Sequence, residues 1–309
     1  MEKLIDAHSH LWLRQDTTWN GKPIRTLHNG RSIFLGEEVQ MLPPFMIDGR
    51  NTAEVFLSNM DYAQVSAAVI VQEFIDGLQN DYLEEVQRQH PDRFLTCGMC
   101  DFNAPNLVGQ VESLAARGFR AMAIPAHRLS SPLNSSEMMQ MFHLMEQQDM
   151  ILSITLADSA DQVAQMREVI SECPQLRIAI GHFCMANPPM TPPWENPLWR
   201  DQVCLARHPH VYIESGGITW LYHSEFYPYP SAIRAIREAA DLVGMDRLMW
   251  GSDYPRTITA ITYRMSYDFI LKSRELSDDD KRQFLSGNAS HFYRFNNLVN
   301  LPYIKNMSE

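Results

Sequence analysis

The sequence predicts an α/β fold: a single (β/α)8 barrel of 309 residues, with a long insertion after its first strand. Three observations carry that expectation. Short, continuous apolar runs recur along the chain, and a stretch of helical periodicity follows each of them, as parallel strands covered on both faces require. Eight such runs can be counted, and the length suits one barrel with insertions. The side chains able to do chemistry gather just after the runs, at the end where such barrels place their sites. An open doubly wound sheet is the competing fold. It is weakened because neither G-x-G-x-x-G nor G-x-x-x-x-G-K-[ST] occurs in the chain. No second domain, internal repeat or low-complexity tract is seen, so residues 1–309 are expected to form one domain.

The elements follow in order. Leu4 to His10 is the first strand. Asp6, His8 and His10 stand at spacing two, so strand alternation would project all three from one face. Two imidazoles on one face can hold a divalent metal or pass protons. Residues 11–50 are polar and aromatic, with Trp12, Trp19, Gly21, Gly30, Gly36, Pro43 and Pro44, and read as a long structureless loop at the site's mouth. Thr52 caps a helix to about Tyr62, and Val65 to Val71 is the second strand. Asn80 to His90 is helical and ends at Pro91; Phe94 to Cys100 is the third strand. Pro105 to Arg117 is a helix stopped by Gly118, and Phe119 to Ile124 is the fourth strand. Ser135 opens a helix whose stripe of Met138, Met139, Phe142 and Met145 is core packing. Met150 to Leu156 is the fifth strand, Ser159 to Ile170 a helix, and Leu176 to His182 the sixth strand. A proline-rich loop, Asn187 to Pro197, is a candidate stiff lid carrying Trp194, and leads into a helix ending near Arg207. Val211 to Ser215, a helix from Ile233 to Val243, and Arg247 to Asp253 supply the seventh strand, its helix and the eighth strand. Helical pieces near Tyr263 to Lys272 and Asp278 to Phe284 precede a last helix capped by Asn288.

Composition narrows the function. A formal net charge of −11 repels phosphate backbones, so nucleic acid is excluded as a partner. No run approaches the length of a membrane span, and the start Met1-Glu2-Lys3 lacks the apolar core of a signal peptide. Five scattered cysteines fit reduced thiols in a cytoplasm. Cys97 and Cys100 have metal-motif spacing, but on a strand they face opposite ways, and they are read as buried small hydrophobes.

The strand ends define the candidate site. His8 and His10 close the first strand, Glu73 follows the second, and Asp101 and Asn103 follow the third. His127 and Arg128 follow the fourth strand, and Thr155 and Asp158 the fifth. His182 closes the sixth, Glu214 and Ser215 the seventh, and Asp253 the eighth, with Arg256 just beyond. In a closed barrel the eighth strand lies beside the first, so Asp253 would stand next to the histidine pair, as a metal ligand or as the base that deprotonates water. His182 would face them across the mouth. Arg128 and Arg256 are candidates for gripping a substrate carboxylate, with Glu73 also facing the substrate. Trp220, Tyr222, His223, Tyr227 and Tyr229, after the seventh strand, are candidate walls of the pocket. His208 and His210 fall at the opposite end of the barrel and are read as structural.

Asp6-Ala7-His8-Ser9-His10, Ile180-Gly181-His182 and Trp250-Gly251-Ser252-Asp253-Tyr254-Pro255 together resemble the amidohydrolase superfamily, and within it the amidohydrolase-related group called amidohydrolase 2. That group includes sugar lactonases, a pyrone dicarboxylate lactonase and non-oxidative decarboxylases. The resemblance covers nearly the whole chain and implies a barrel whose metal ligands match His8, His10, His182 and Asp253. Metal-dependent members usually carry a histidine after the fifth strand, and Ser153-Ile154-Thr155-Leu156-Ala157-Asp158 stands there instead. No bridging lysine follows the fourth strand. The resemblance therefore implies at most one divalent ion, zinc or manganese, with metal-free catalysis as the alternative.

The function expected is hydrolysis of a small sugar-acid or dicarboxylate lactone in carbohydrate catabolism. Asp253 would activate water while His182 and the first-strand pair polarise the carbonyl. A metal-dependent decarboxylase and a non-catalytic small-molecule-binding barrel are the alternatives. The expected partner is the small-molecule substrate, and long loops at the barrel mouth make a homodimer a further expectation.

Overall fold

The computed structural model describes residues 3–305 and 307; Met1 and Glu2, part of the expectation of no leader, lie outside the described residues. Strand β1 spans Leu4–Ser9 and is buried along its whole length. The next segment is a correction to the sequence reading. Residues 11–50 are not structureless but carry a four-stranded antiparallel sheet: β2 (Asp16–Trp19), β3 (Lys22–Thr26), β4 (Arg31–Phe34) and β5 (Glu37–Gln40). Asn20-Gly21 and Leu35-Gly36 make its two tight turns, and all four residues have positive φ, the backbone that two-residue hairpin turns demand.

The barrel then continues with helix α1 (Ala53–Ala63), β6 (Val65–Ile70), α2 (Asn80–Gln89), β7 (Phe94–Gly98), α3 (Leu107–Ala116) and β8 (Ala121–Ile124). Next come α4 (Ser136–Gln147), β9 (Ile151–Ile154), α5 (Ala160–Glu172), β10 (Arg177–Ile180), α6 (Pro197–Val203) and β11 (Val211–Glu214). The short α7 (Ile218–Leu221), α8 (Pro230–Val243), β12 (Leu248–Met249), α9 (Met265–Lys272), α10 (Asp278–Arg282) and α11 (Asn288–Tyr293) complete the chain. The eight barrel strands are parallel, each beside its successor. Closure is made by backbone bonds from both sides of the seam. Ala7 N–H donates to Trp250 O at 2.9 Å, Asp253 N–H to His8 O at 2.9 Å, and His10 N–H to Tyr254 O at 2.7 Å.

The apolar runs are continuous because each strand is covered twice. Ile5, Ala7, Ala67, Val69, Leu95 and Ala123 fill the barrel interior, which Phe292 and Tyr293 of α11 plug at the N-terminal end. Leu4, Ala68, Ile70, Met122, Leu152 and Ile178 pack outward against the helices. Cys97 joins the inner cluster and Cys100 the outer one, on opposite faces as strand alternation requires. Asn288 does not cap the last helix. It is already helical, and its amide donates to Met245 O and Leu248 O at 2.7 Å, tying α11 to the start of β12. Among the described residues no helix is long and apolar enough to cross a membrane.

Candidate active site

His8, His10, His182 and Asp253 meet at the C-terminal mouth of the barrel, but Asp6 is not with them. Asp6 follows Leu4 to the outer face, while Ile5 and Ala7 point inward. Its carboxylate accepts from Ser252 N at 2.8 Å, Ser252 Oγ at 2.5 Å and Tyr263 Oη at 2.8 Å. The register of β1 against β6 shifts between Asp6 and Ser9. Such an irregularity re-aims the side chains beyond it, and His8 and His10 turn to the mouth. The simple period of two therefore fails at the residues that matter most.

His182 and Asp253 are held by unusual backbone. His182, Phe183 and Cys184 have φ of 51°, 53° and 60°, and Asp253 has φ of 58°. Left-handed backbone costs a non-glycine residue roughly 1–2 kcal/mol and gathers at functional sites. Here it ends β10 and β12 early and swings both side chains over the barrel axis.

Each histidine is fixed through Nδ1. His8 Nδ1 lies 2.6 Å from Glu214 Oε1, His10 Nδ1 lies 3.0 Å from Asp76 Oδ2, and His182 Nδ1 lies 2.9 Å from Gly216 O. All three partners are acceptors, so each Nδ1 carries the proton and each Nε2 is left for the centre. Glu214 is fully buried and also accepts from Gly216 N at 2.5 Å and His182 N at 3.2 Å. A Cβ at Gly216 would lie 2.7 Å from Glu214 Oε2, and one at Gly251 would lie 2.7 Å from His8 Cβ. Glycines at these two places leave room for the Glu214–His8 pair.

The inward atoms form a donor cluster. His8 Nε2 and His10 Nε2 are 3.2 Å apart, and His10 Nε2 is 3.2 Å from Asp253 Oδ1. Two imidazole lone pairs cannot face each other at that distance without a proton or cation between them. Burial opposes charge on His10, but Asp76 and Asp253 outweigh it and hold its pKa well above the ordinary value. Burial likewise opposes charge on Asp253, yet the His10 hydrogen bond and the neighbouring imidazoles keep its carboxyl well below the usual range. His182 is lowered by burial and by His8, so it is neutral near pH 7. His8, His182 and Asp253 offer ligand atoms within 4.8 Å of one another. A space of about 10 Å³, the size of one water or ion, is bordered by His8, His10 and His182. Imidazole nitrogens with a carboxylate oxygen are the donors that zinc or manganese takes. The residues fit one divalent ion held by His8, His182 and Asp253, with His10 beside them. Thr155, where the usual fifth-strand histidine is missing, borders the same space without offering a nitrogen.

Above the cluster lies a cleft of about 350 Å³. Phe34, Val39, Gln40 and Met41 of the insertion roof it; Glu73, Arg128, Trp220 and Arg256 stand at its sides. Arg128 Nε donates to Glu73 Oε2 at 2.6 Å, so these two candidates satisfy each other. Arg256 instead lies over the Trp220 ring, 3.6 Å from its centroid, and among the described residues no carboxylate pairs with it. Trp220 Nε1 donates to Asp253 Oδ2 at 2.5 Å. Tyr222 and His223 do not border this cleft: Tyr222 is buried among the helices, and His223 borders a neighbouring cavity. The proline-rich loop is no lid over the cleft. Its Trp194 packs on the outer core, with Arg234 over the ring.

Asp76 is not singled out from the sequence, and Glu214 is named there only as a residue closing the seventh strand. Asp76 follows Glu73 by three, and the two form a capping box on the turn Phe74–Asp76. That E-x-x-D after a strand was the available signal. Nothing local marks Glu214, whose role depends on the His8 side chain of β1 reaching past β12 to meet it.

A parallel barrel with three anchored imidazoles and an ionised aspartate at its C-terminal mouth defines a barrel enzyme of the hydrolase class. The family model described as Amidohydrolase matches residues 5–295. The chain belongs to this family, in the amidohydrolase 2 group. An L-fucono-1,5-lactonase of Burkholderia ambifaria is 32% identical over 130 residues, which is 39% of this chain and 42% of that protein. The chain thus matches less than half the length of that curated relative. Among solved structures, a probable 2-pyrone-4,6-dicarboxylic acid hydrolase from Acinetobacter baumannii with citric acid bound is 18% identical, with a TM-score of 0.71 over 95% of this chain and 100% of that one. An amidohydrolase from Burkholderia multivorans with bound zinc is also 18% identical, with a TM-score of 0.70 over 95% and 99%. At these identities the two structures share the fold.

Proposed function

We propose that this enzyme hydrolyses a small lactone bearing a carboxylate or several hydroxyls. The observation that carries the reading is Asp253: a buried carboxylate kept ionised, with Oδ1 3.2 Å from His10 Nε2, at the floor of a cleft that Arg256 also borders. The partial likeness to a fuconolactonase, and the fold shared with a probable pyrone dicarboxylate hydrolase, support the same substrate class.

Asp253 accepts a proton from water at Oδ1 as the water oxygen attacks the lactone carbonyl. The ring C–O bond then breaks, and the proton passes from Asp253 to the departing alkoxide, leaving a hydroxy acid. His182, neutral and fixed through Nδ1, orients the reacting groups through Nε2. Arg256, with no carboxylate partner among the described residues, grips the substrate's acidic or hydroxyl groups. His8, His182 and Asp253 would hold a divalent ion, which when bound would supply Lewis-acid polarisation of the carbonyl and a more acidic water.

The test is turnover of a panel of sugar-acid and dicarboxylate lactones, with and without chelator, by the wild type and by Asp253→Asn. At least one lactone is expected to open. The variant is expected to lose about 10²–10⁴-fold in kcat, as removal of a general base does, with an unchanged circular dichroism spectrum. A wild type that opens none of the panel, or a variant as active as the wild type, refutes the reading.

A further inference from the structure

Beside the cleft lies a larger cavity, of about 610 Å³. Its walls come mostly from the segments after β11 and β12, with Pro188 of the loop after β10, so it opens on the same face of the barrel as the cleft. Trp220, Arg256 and Thr259 border both spaces. What separates them is side chain, chiefly the Arg256 guanidinium stacked on the Trp220 indole. Trp220 is pinned by its bond to Asp253, whereas Arg256 is exposed. An exposed arginine changes rotamer within nanoseconds, so this part of the shared wall is movable.

The walls of the larger space say what fits it. Phe226, Tyr227, Tyr229, Ile261 and Met265 give it an aromatic and aliphatic lining. Apart from Arg256, its histidine and carboxylate neighbours already have hydrogen-bond partners: His223 Nδ1 donates to Trp220 O at 2.8 Å, and Glu225 Oε2 accepts from Ser231 N at 3.0 Å. Phe226, at 93% exposure, stands at this rim with its ring in water. Its ring extends the apolar wall outward, and an apolar group seated against it would remove both surfaces from water.

We propose that this cavity is a second substrate chamber, which takes an aromatic or aliphatic arm carried on the lactone ring, with the Arg256–Trp220 pair as a movable partition. The inference rests on the lactonase reading and narrows it: the preferred substrate is a substituted lactone rather than a bare sugar lactone.

Ala260 borders the larger cavity but not the cleft, and it is exposed, so Ala260→Trp fills the chamber without entering the core. The assay compares δ-valerolactone with phenyl-substituted δ-valerolactones bearing the ring at each carbon in turn. The wild type is expected to favour at least one phenyl isomer by about tenfold or more in kcat/KM, as apolar pockets do. Ala260→Trp is expected to erase that preference through KM and to leave the unsubstituted lactone unchanged. A second measurement does not depend on turnover. Fluorine NMR follows binding of the matching 4-fluorophenyl hydroxy acids, whose signal should broaden with wild type and not with Ala260→Trp. Broadening that the variant abolishes, with no lactone opened, upholds the chamber and refutes the lactonase reading. Absence of both a phenyl preference and variant-sensitive broadening overturns the chamber. Ile261→Trp replaces Ala260→Trp if the latter fails to fold.

Discussion

Glu214 is a buried carboxylate whose principal partner is one imidazole, and its effect is exerted through that imidazole. By accepting from His8 Nδ1 at 2.6 Å it decides which nitrogen of His8 faces the centre. Asp76 does the same for His10 from a different strand end. Partners of this kind orient a ligand and raise its basicity, and their loss costs about 10–100-fold in metal affinity. Glu214→Gln, which keeps the shape but lets the amide donate, is expected to weaken zinc binding by about that factor in a competition titration. Asp76→Asn is expected to have a smaller effect, because His10 lies beside the cluster of His8, His182 and Asp253 rather than within it. Equal zinc affinity in wild type and Glu214→Gln would remove the anchoring role. The histidines were readable as residues; which carboxylate anchors which imidazole was not, because a pairing across 206 or 66 positions leaves no local pattern.

At the scale of elements, the insertion is the largest difference between expectation and fold. Its strands are mostly exposed, so they lack the apolar alternation that marks a half-buried strand. The turn residues Asn20-Gly21 were the signal that two of its strands pair. The sheet turns back on Gly30, whose carbonyl accepts from both Met41 N and Leu42 N. Gly30 has φ of +69°, and a Cβ there would lie 2.4 Å from Leu42 O and 2.5 Å from Pro43 O. Gly30→Ala is therefore expected to loosen the roof of the cleft while sparing the barrel. Hydrogen exchange should accelerate in residues 16–41 and stay unchanged in β9 and β10, with KM rising severalfold more than kcat falls. Unaltered exchange in the insertion would contradict this account of its anchoring. The barrel strands, by contrast, were legible from their apolar runs. Their ends were misplaced by one to four residues where the chain leaves the ladder at His182 and Asp253 to build the site.

At the scale of the molecule, the barrel closes at a polar seam. Asp6 on β1 takes hydrogen bonds from Ser252 after β12 and from Tyr263 before α9, so one carboxylate joins the first strand to the last units of the chain. Burial pushes its pKa up to about 6, against the opposing pull of the Ser252, Tyr263 and His8 hydrogen bonds. The unfolded value is 3.8, so between pH 4 and 6 the native state binds the extra proton and the stability that Asp6 contributes falls as pH rises. The fall amounts to at most about 3 kcal/mol and levels off above pH 6. Asp6→Asn removes that titration. The stability of wild type relative to this variant, measured by urea unfolding, is expected to decline from pH 4 to pH 7. A relative stability that rises over that range would show that the native hydrogen bonds, not burial, set the charge of Asp6.

The sequence by itself determined the barrel, its strand order and the identity of the four residues at its mouth. Continuous apolar runs and residues closing them are local properties that survive without a structure. Only the tertiary structure decided which way those residues face. Alternation with Leu4 sends Asp6 to the closing seam, the shift after it turns His8 and His10 to the mouth, left-handed backbone brings His182 and Asp253 to them, and Glu214 and Asp76 fix the imidazoles from beyond other strands. The physical reason is that strand period and burial are set by neighbours in sequence, whereas a site is set by where distant strands end against one another.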